Sequence, residues 1–198
     1  MIRRFLPILA ATALLLLSVS ASAQEAPKAR PPAWGPTHPF AIGVRTPMRI
    51  GDGYVQGGFG GHVRLRPYDR LRIELFFDNF FGQDGVAMRH DHEVGTTAQV
   101  VVLRYDRFIA YPMLGACAML AMLDAGMDTP MVSDVRFGVH AGLGAEVAVG
   151  AGFSLQLQVE TVGYFGHEMK AYDRTAFVDR TMRVYPTGQA ELGLNYWF

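Results

Sequence analysis

The stretch DVRFGVHAGLGAEVAV, residues 134–149, alternates between two kinds of side chain. The apolar set comprises Val135, Phe137, Val139, Ala141, Leu143, Ala145 and Val147, and the other set comprises Arg136, Gly138, His140, Gly142, Gly144 and Glu146. A period of two places successive side chains on opposite faces of a β-strand, whereas a helix would distribute them around its axis. The stretch therefore predicts a strand with one apolar face and one polar face.

The same alternation recurs along most of the chain after residue 39. It is clear in residues 54–66, 71–81, 153–165 and 189–198, less clear in residues 93–105 and 107–120, and shortest in FAIGVR, residues 40–45. Together with residues 134–149, these stretches predict eight strands. The direction in which the two less clear strands face stays open, because their apolar residues do not fall on one alternate set.

The connections between these strands also alternate, in length. Short connections fall at residues 66–70, 104–107 and 150–152, and long ones at residues 82–92, 120–133 and 166–183. Short turns at one end and long loops at the other are typical of an up-and-down antiparallel β-barrel.

The N-terminus has the features of a secretory signal peptide. Residues 1–23 contain two arginines, an apolar run and the small-residue sequence Ala21-Ser22-Ala23, which predicts cleavage before Gln24. Cleavage would leave 16 Lys and Arg (18 − 2) against 18 Asp and Glu, a net charge of −2 with no basic stripe, so no nucleic-acid partner is expected. Residues 24–37 are rich in proline and predict a leader or linker, and residues 38–198 predict the barrel.

The remaining sequence limits how the protein could enter a membrane. Cys117 is the single cysteine, so no intramolecular disulfide can form. No segment after the signal peptide has the roughly 20 apolar residues that a spanning helix needs. A membrane protein with this sequence would have to be a closed barrel.

Alternation alone does not decide which face of the barrel is outside, since a soluble barrel of the lipocalin kind has the same period. Two features favour an apolar face turned to lipid. The polar face also carries glycines, which suit the crowded lumen of a narrow barrel. Aromatic residues collect at the strand ends, as they do at the two membrane–water interfaces of outer-membrane barrels. A strand of ten residues, tilted by about 40°, also spans the roughly 25 Å of an outer-membrane apolar band.

The signal peptide, the eight alternating strands and the terminal GLNYWF resemble small bacterial outer-membrane β-barrels of the OmpA/OmpX type, over residues 38–198. The resemblance implies location in the bacterial outer membrane, with both termini in the periplasm and the long loops outside the cell. It also implies that Phe198, Tyr196 and Leu194 form the signal by which the outer-membrane assembly machinery recognises its clients. No peptidoglycan-binding domain follows the barrel, which puts a role in tethering the cell wall in doubt.

The inward face predicts a network of polar side chains in the lumen. Its members are His62, Arg64, Arg72, Glu74, Arg136, His140, Glu146, Glu160 and Glu191, with Arg66 and Asp78 as further inward charges. A turn centred on Tyr68 would place His62 opposite Glu74, and Arg64 and Glu146 are expected to meet across the lumen. Charges of nearly balanced sign in so narrow a barrel favour a plug, although a polar pore remains an alternative.

Two groups of residues could carry other chemistry. His90, Asp91 and His92, expected in a loop, have too few companions to predict a metal site. Ser133 and Ser154 are the two serines after the signal peptide, and neither shares a face and level with a histidine, as a lipid A-modifying barrel enzyme would require.

The sequence therefore predicts an all-β protein, an eight-stranded antiparallel up-and-down transmembrane β-barrel that is not an enzyme and has no metal or cofactor. The predicted role is structural or surface-interacting, with a plugged polar lumen and outer-membrane lipid and the assembly machinery as partners. A surface ligand could bind through residues 82–92, 120–133 and 166–183. The alternatives are a small pore, a hydrophobic-ligand conduit and a barrel enzyme.

Overall fold

The computed structural model describes residues 38–198 apart from residues 52, 86, 127–130 and 173–174. Nine strand segments cover these residues: β1 (Phe40–Ile50), β2 (Tyr54–Tyr68), β3 (Leu71–Asp84), β4 (Ala87–Val100), β5 (Leu103–Tyr105), β6 (Phe108–Asp124), β7 (Val132–Gly150), β8 (Phe153–Tyr172) and β9 (Thr175–Trp197). In this part of the chain, no helix is long and apolar enough to cross a membrane. The predicted signal peptide and leader lie outside the described residues.

The strands close into one antiparallel barrel. β1 pairs with β9, from Ala41 opposite Trp197 to Ile50 opposite Gly188, which joins the first and last strands of the chain. β4 pairs with β6, and with this pairing the sheet is closed. The short β5 follows β4 after a break of two residues and pairs with the beginning of β6. β4 and β5 therefore count as one strand, and the eight-stranded barrel predicted from the sequence is confirmed.

Tight turns join the strands at one end, called the turn end below. The turn between β7 and β8 holds Gly150 at a φ of 122°, Ala151 at 49° and Gly152 at 82°. Glycine adopts positive φ at little cost, which explains why two glycines flank this turn. The other turns at this end lie at residues 69–70 and 106–107.

The opposite end, called the loop end, differs from the prediction. β3 continues to Asp84 and β4 begins at Ala87, so residues 82–92 are mostly strand rather than loop. The other two predicted loops, residues 120–133 and 166–183, also contain long strand extensions. For residues 82–92 the prediction was wrong because the outward Gln83, His90 and His92 are polar, as in a loop. In the other two stretches the strands continue with inward residues, such as Leu123 and Met169, that still pack in the interior.

Burial alternates along the strands and separates two faces of opposite character. Outward side chains are largely apolar and exposed; Val44 is 63%, Leu157 is 53% and Phe137 is 65% accessible to solvent. Inward side chains include most of the buried charged residues. A water-soluble protein would have the reverse arrangement, with its apolar side chains inside.

Two apolar clusters also occupy the interior. The loop-end cluster consists of Phe76, Ala87, Cys117, Met119, Ala121, Leu123, Val162, Tyr164, Met169 and Ala176, and the turn-end cluster of Ala41, Val101, Ile109, Tyr111, Met113, Ala148 and Trp197. β6 supplies inward residues to both clusters while Leu114 and Leu120 point outward, so both of its faces are apolar. This explains why its facing could not be predicted.

Candidate functional site

The lumen between the two apolar clusters holds most of the buried charges. The predicted inward residues that are buried are His62, Arg64, Arg72, Glu74, Arg136, His140, Glu146 and Glu191, together with Arg66 and Asp78. Glu160 is only partly buried, and no hydrogen bond or ion pair joins it to another described residue. The barrel wall thus turns the predicted polar face inward on β2, β3, β7 and β9.

Glu146 is the centre of the network near the turn end. Its carboxylate accepts hydrogen bonds from Nη1 of Arg72 at 2.5 Å, from Nη1 of Arg64 at 3.2 Å and from Nε1 of Trp197 at 2.9 Å. The hydroxyl of Ser154 also donates to it. Four donors from four strands therefore converge on one buried carboxylate.

Arg45 is the corresponding centre in the middle of the lumen. Its Nη1 lies 2.9 Å from Glu74 and 2.8 Å from Glu191, and its other nitrogens donate to Asp78. Glu74 also accepts from Arg64, which in turn reaches Glu146. The two parts of the network are thereby joined through Arg64.

A third group of charges lies nearer the loop end. Arg49 contacts Glu93 and lies 3.6 Å from Asp91, whose carboxylate also accepts from Nε of Arg89 at 3.0 Å. The hydroxyl of Tyr164 donates to Glu93 at 2.6 Å. Most charges in this group were missed in the sequence, because residues 82–92 were predicted to be a loop and the facing of the strand that begins at Glu93 was left open.

Buried arginines also stack on aromatic rings inside the barrel, and four of these contacts surround the ion pairs described above. The distances from guanidinium carbon to ring centroid are 4.1 Å for Arg45 and Phe76, 3.7 Å for Arg49 and Phe80, 4.1 Å for Arg89 and Tyr54, and 4.7 Å for Arg72 and Trp197. Cation–π contacts of this kind are attractive, most strongly where water is excluded. They fill the space around the ion pairs and hold the guanidinium planes in place.

Arg45 and Arg49 were also missed, because the first strand was predicted to end at Arg45 and its inward face was not identified. β1 continues past Arg45 to Ile50, and burial alternates over its whole length. Pro47 lies within this strand, and a proline normally argues against a strand interior. The alternation of Arg45, Pro47 and Arg49 with Thr46 and Met48 was the signal that could have revealed the longer strand.

His62 does not lie opposite Glu74, so this sequence prediction was wrong. The turn falls at residues 69–70 and the register shifts between Leu65 and Tyr68, which pairs Arg64 with Glu74 and His62 with Phe76. Nε2 of His62 instead lies 2.5 Å from Oδ1 of Asn195.

His140 contacts a neutral partner and Arg136 contacts residues at the loop-end rim, so neither touches the central ion pairs. Nε2 of His140 lies 3.0 Å from the hydroxyl of Thr97. Arg136 donates to the backbone carbonyl of His167 at 2.9 Å and lies 3.5 Å from Asp134. Of the predicted network, these two residues and Glu160 are therefore not joined to the central ion pairs.

The combination of a charged interior and an apolar exterior is the arrangement of proteins that cross a membrane as barrels. Solved structures show the same fold. The chain matches neisserial surface protein A (TM-score 0.59, 12% identity), covering 80% of this chain and 97% of that one. It also matches the N-terminal β-barrel domain of Pseudomonas aeruginosa OprF (TM-score 0.53, 12% identity; 80% and 97%) and the outer membrane protein AlkL (TM-score 0.51, 11% identity; 89% and 96%).

The chain has the fold of the small eight-stranded outer-membrane β-barrels. No protein-family model matches it, and no curated protein does. At these identities the likeness concerns the fold, so the role of the barrel has to be inferred from its own side chains.

The C-terminal residues complete the wall of the barrel at the seam between β1 and β9. Leu194, Tyr196 and Phe198 all point outward, and the backbone N–H of Phe198 donates to the carbonyl of Phe40 at 2.9 Å. The ring of Phe198 lies 4.9 Å from that of Tyr196 and 5.6 Å from that of Phe40. The last residue is thus ordered by contacts across the seam between β1 and β9.

The residues considered for metal binding or catalysis are dispersed. His90 and His92 point outward from β4 while Asp91 points inward, so their predicted position in a loop was wrong. Within the described residues, no group of three His, Cys, Asp or Glu side chains could hold a metal ion. Ser154 is fully buried against Glu146, and Ser133 is exposed near the loop end.

Proposed function

We propose that this outer-membrane barrel has a plugged lumen and serves the cell envelope as a structural or surface-interacting protein rather than as a channel. The observation that carries the proposal is the linked set of ion pairs around Arg45 and Glu146. Together they join side chains of β1, β2, β3, β7 and β9 across the lumen.

The width of the barrel supports a plug. An eight-stranded barrel has an interior just wide enough for side chains to fill. An ion moving through it would have to displace buried charge pairs, and leaving one partner of such a pair alone costs about 3–5 kcal/mol. The aromatic rings stacked on the arginines add to this barrier.

The loop end supports the surface role. The long β8 and β9 continue past the last pairing of β9 with β1 at Gly188, so their ends extend beyond the neighbouring strand. Phe177, Met182 and Val184 are exposed there. We propose that a surface partner contacts this hairpin outside the cell, and that outer-membrane lipid and the assembly machinery are the other partners of the barrel.

The proposal includes no catalysis. A serine nucleophile needs a base and access to substrate. Ser154 has no access to substrate because its side chain is buried, and the carboxylate to which its hydroxyl donates, that of Glu146, is held in ion pairs with Arg64 and Arg72. Incubation with lipid A and analysis of the products by mass spectrometry would reveal any hydrolysis or acyl transfer, and either product would contradict this part of the proposal.

Permeation into proteoliposomes tests the plug. We expect vesicles with the wild-type barrel to take up a small sugar and potassium ions no faster than empty vesicles. Uptake well above that of empty vesicles, with the barrel shown to be folded, would overturn the proposal and support a pore.

A second candidate is a conduit for hydrophobic ligands, favoured by the loop-end apolar cluster. Met119, Leu123 and Met169 would offer such a ligand an apolar entrance above the charged lumen. This candidate predicts that a long-chain fluorescent hydrocarbon enters proteoliposomes through the wild-type barrel and that Leu123→Glu abolishes entry. The plug predicts no protein-dependent entry in either case.

A further inference from the structure

An open groove of about 710 Å³ runs along the outward surface of the barrel. Its outward-facing lining includes Ile42, Val44, Gly61, Leu75, Phe77 and Leu194. Gly61 forms the floor, and its cross-strand partners are Val44 on β1 and Phe77 on β3. A Cβ atom at Gly61 would have just one neighbour within 4 Å, the carbonyl oxygen of Gly43 at 3.5 Å. The groove therefore exists because this outward position has no side chain.

A polar cluster, consisting of Asn79, His90 and His92, lies on the same outward face. Nδ1 of His92 lies 2.6 Å from Oδ1 of Asn79, its direct cross-strand partner. His90 lies opposite Phe81, whose ring meets the imidazole edge-on with centroids 5.2 Å apart. The outward residues further along β4 are Val94, Thr96, Ala98 and Val100, none of which is ionisable, so the two histidines depart from the rest of the strand.

The polar cluster lies at the height at which the apolar core of an outer membrane would end. Asn79 is ten residues from Asp69 in the turn. At a rise of about 3.3 Å per residue and a tilt of about 40°, that distance corresponds to about 25 Å, the height of an outer-membrane apolar band. Polar side chains at this level meet lipid head groups rather than acyl chains.

Phe77 connects the groove to the polar cluster. It lines the groove, and its ring lies nearly parallel to that of His92, with centroids 6.4 Å apart and an interplanar angle of 5°. An apolar groove thus leads directly to hydrogen-bonding groups at the level of the head groups. This is the shape of a site for an amphiphile with one chain in the groove and its head group at the loop end.

We propose that the groove over Gly61 and the polar cluster together bind one phosphorylated lipid of the outer leaflet. One acyl chain lies between Val44 and Phe77, and a phosphate of the head group meets His90, His92 and Asn79. Imidazole and amide N–H groups donate hydrogen bonds to phosphate oxygens. Among the described outward residues of β3 and β4 none is acidic, so no carboxylate opposes the phosphate.

Native mass spectrometry of the purified, folded barrel tests this inference, with lipid A, dephosphorylated lipid A and phosphatidylglycerol added separately. We expect the wild type to retain one lipid A. Gly61→Leu should lower retention about tenfold, the effect of displacing about two methylenes of the chain from the groove. Gly188→Leu is the matched control, because Gly188 also faces outward with nothing within 4 Å of a Cβ atom but lies outside the groove.

His92→Leu tests the head-group contact without filling the groove. It should weaken retention of lipid A and leave retention of dephosphorylated lipid A unchanged.

Equal retention by the Gly61→Leu and Gly188→Leu variants, or retention by the wild type that does not depend on phosphate, would overturn the proposal. Stronger retention of phosphatidylglycerol than of lipid A would also overturn it, since it would indicate an inner-leaflet lipid. A wild-type dimer that Gly61→Leu dissociates would assign the groove to a second copy of the chain instead.

The inference rests on the proposed outward orientation of the loop end but not on the plug. Both glycine variants leave the lumen unchanged, so their permeation should match that of the wild type. A barrel that conducts ions yet loses lipid A on Gly61→Leu would contradict the plug alone. A barrel that is impermeable yet retains no lipid would contradict the lipid site alone.

Discussion

Nη1 of Arg64 lies 3.2 Å from Oε2 of Glu146. Arg64 belongs to β2 and Glu146 to β7, and these strands lie four positions apart in either direction around the eight-stranded barrel. The contact therefore spans the full width of the lumen. It forms part of the network that leaves the interior filled by side chains.

Glu146→Ala should be among the most destabilising single substitutions in the lumen. It would leave Arg64 and Arg72 without the carboxylate that both contact, and breaking a buried pair in this way costs about 3–5 kcal/mol. Reversible urea unfolding in lipid vesicles measures the change in the free energy of unfolding. Glu160→Ala is the control, since Glu160 has no ion pair with another described residue, and equal losses in both variants would contradict the network.

Substitution by alanine should have opposite effects on stability at the two adjacent glycines Gly60 and Gly61. A Cβ atom at the inward Gly60 would lie 2.5 Å from the backbone oxygen of Phe77, whereas at the outward Gly61 its nearest neighbour is 3.5 Å away. Gly60→Ala should therefore cost about 1–3 kcal/mol. Gly61→Ala should be neutral or slightly stabilising, because it reduces the freedom of the unfolded chain. The same unfolding measurement compares the two, and a larger loss for Gly61→Ala would mean that the faces of β2 are reversed.

A charge on the apolar band should be costly although the side chain is exposed. Leu157→Arg places a cation against the acyl chains and should cost about 2–4 kcal/mol at the midplane, whereas Met182→Arg, on the part of β9 beyond its pairing with β1, should cost about 0–1 kcal/mol. Unfolding in vesicles gives both values. A soluble barrel would tolerate both substitutions equally, since both residues are more than half exposed.

Phe198→Asp should block assembly in cells while leaving refolding in detergent largely intact. The substitution removes the contacts of the terminal ring with Phe40 and Tyr196 but changes no lumen residue. Phe153→Asp is the matched control, because it removes a similar ring contact with Tyr196 inside the chain. Fractionation of cell envelopes should show Phe153→Asp in the outer membrane and Phe198→Asp depleted from it. Equal assembly of both variants would argue against a terminal recognition signal.

The barrel and its strand count could be predicted from the sequence because alternation is strong wherever one face meets lipid and the other meets polar groups. β7 is the clearest case, with apolar residues from Val135 to Val147 on one face. β6 could not be oriented, since its inward residues join two apolar clusters and its outward residues are apolar as well. A period of two gives no direction when both faces have the same character.

The lumen was predictable in part. Arg64 and Glu146 were expected to meet because each lies at a defined position on a clear strand. The register of β2 with β3 depends on a shift between Leu65 and Tyr68, which no residue pattern revealed, so the partner of His62 was wrong. Arg89, Asp91 and Glu93 were missed because the outward histidines between them made the whole segment polar.

Single-channel recording in planar bilayers is the most direct test of the plugged lumen. Because side chains of the ion-pair network fill the lumen, we expect no steady conductance from the folded wild-type barrel. It also predicts that Glu146→Ala, by separating Arg64 and Arg72 from their shared carboxylate, admits water and small ions and gives small openings. A large and stable wild-type conductance that Glu146→Ala leaves unchanged would contradict the plug and establish a channel.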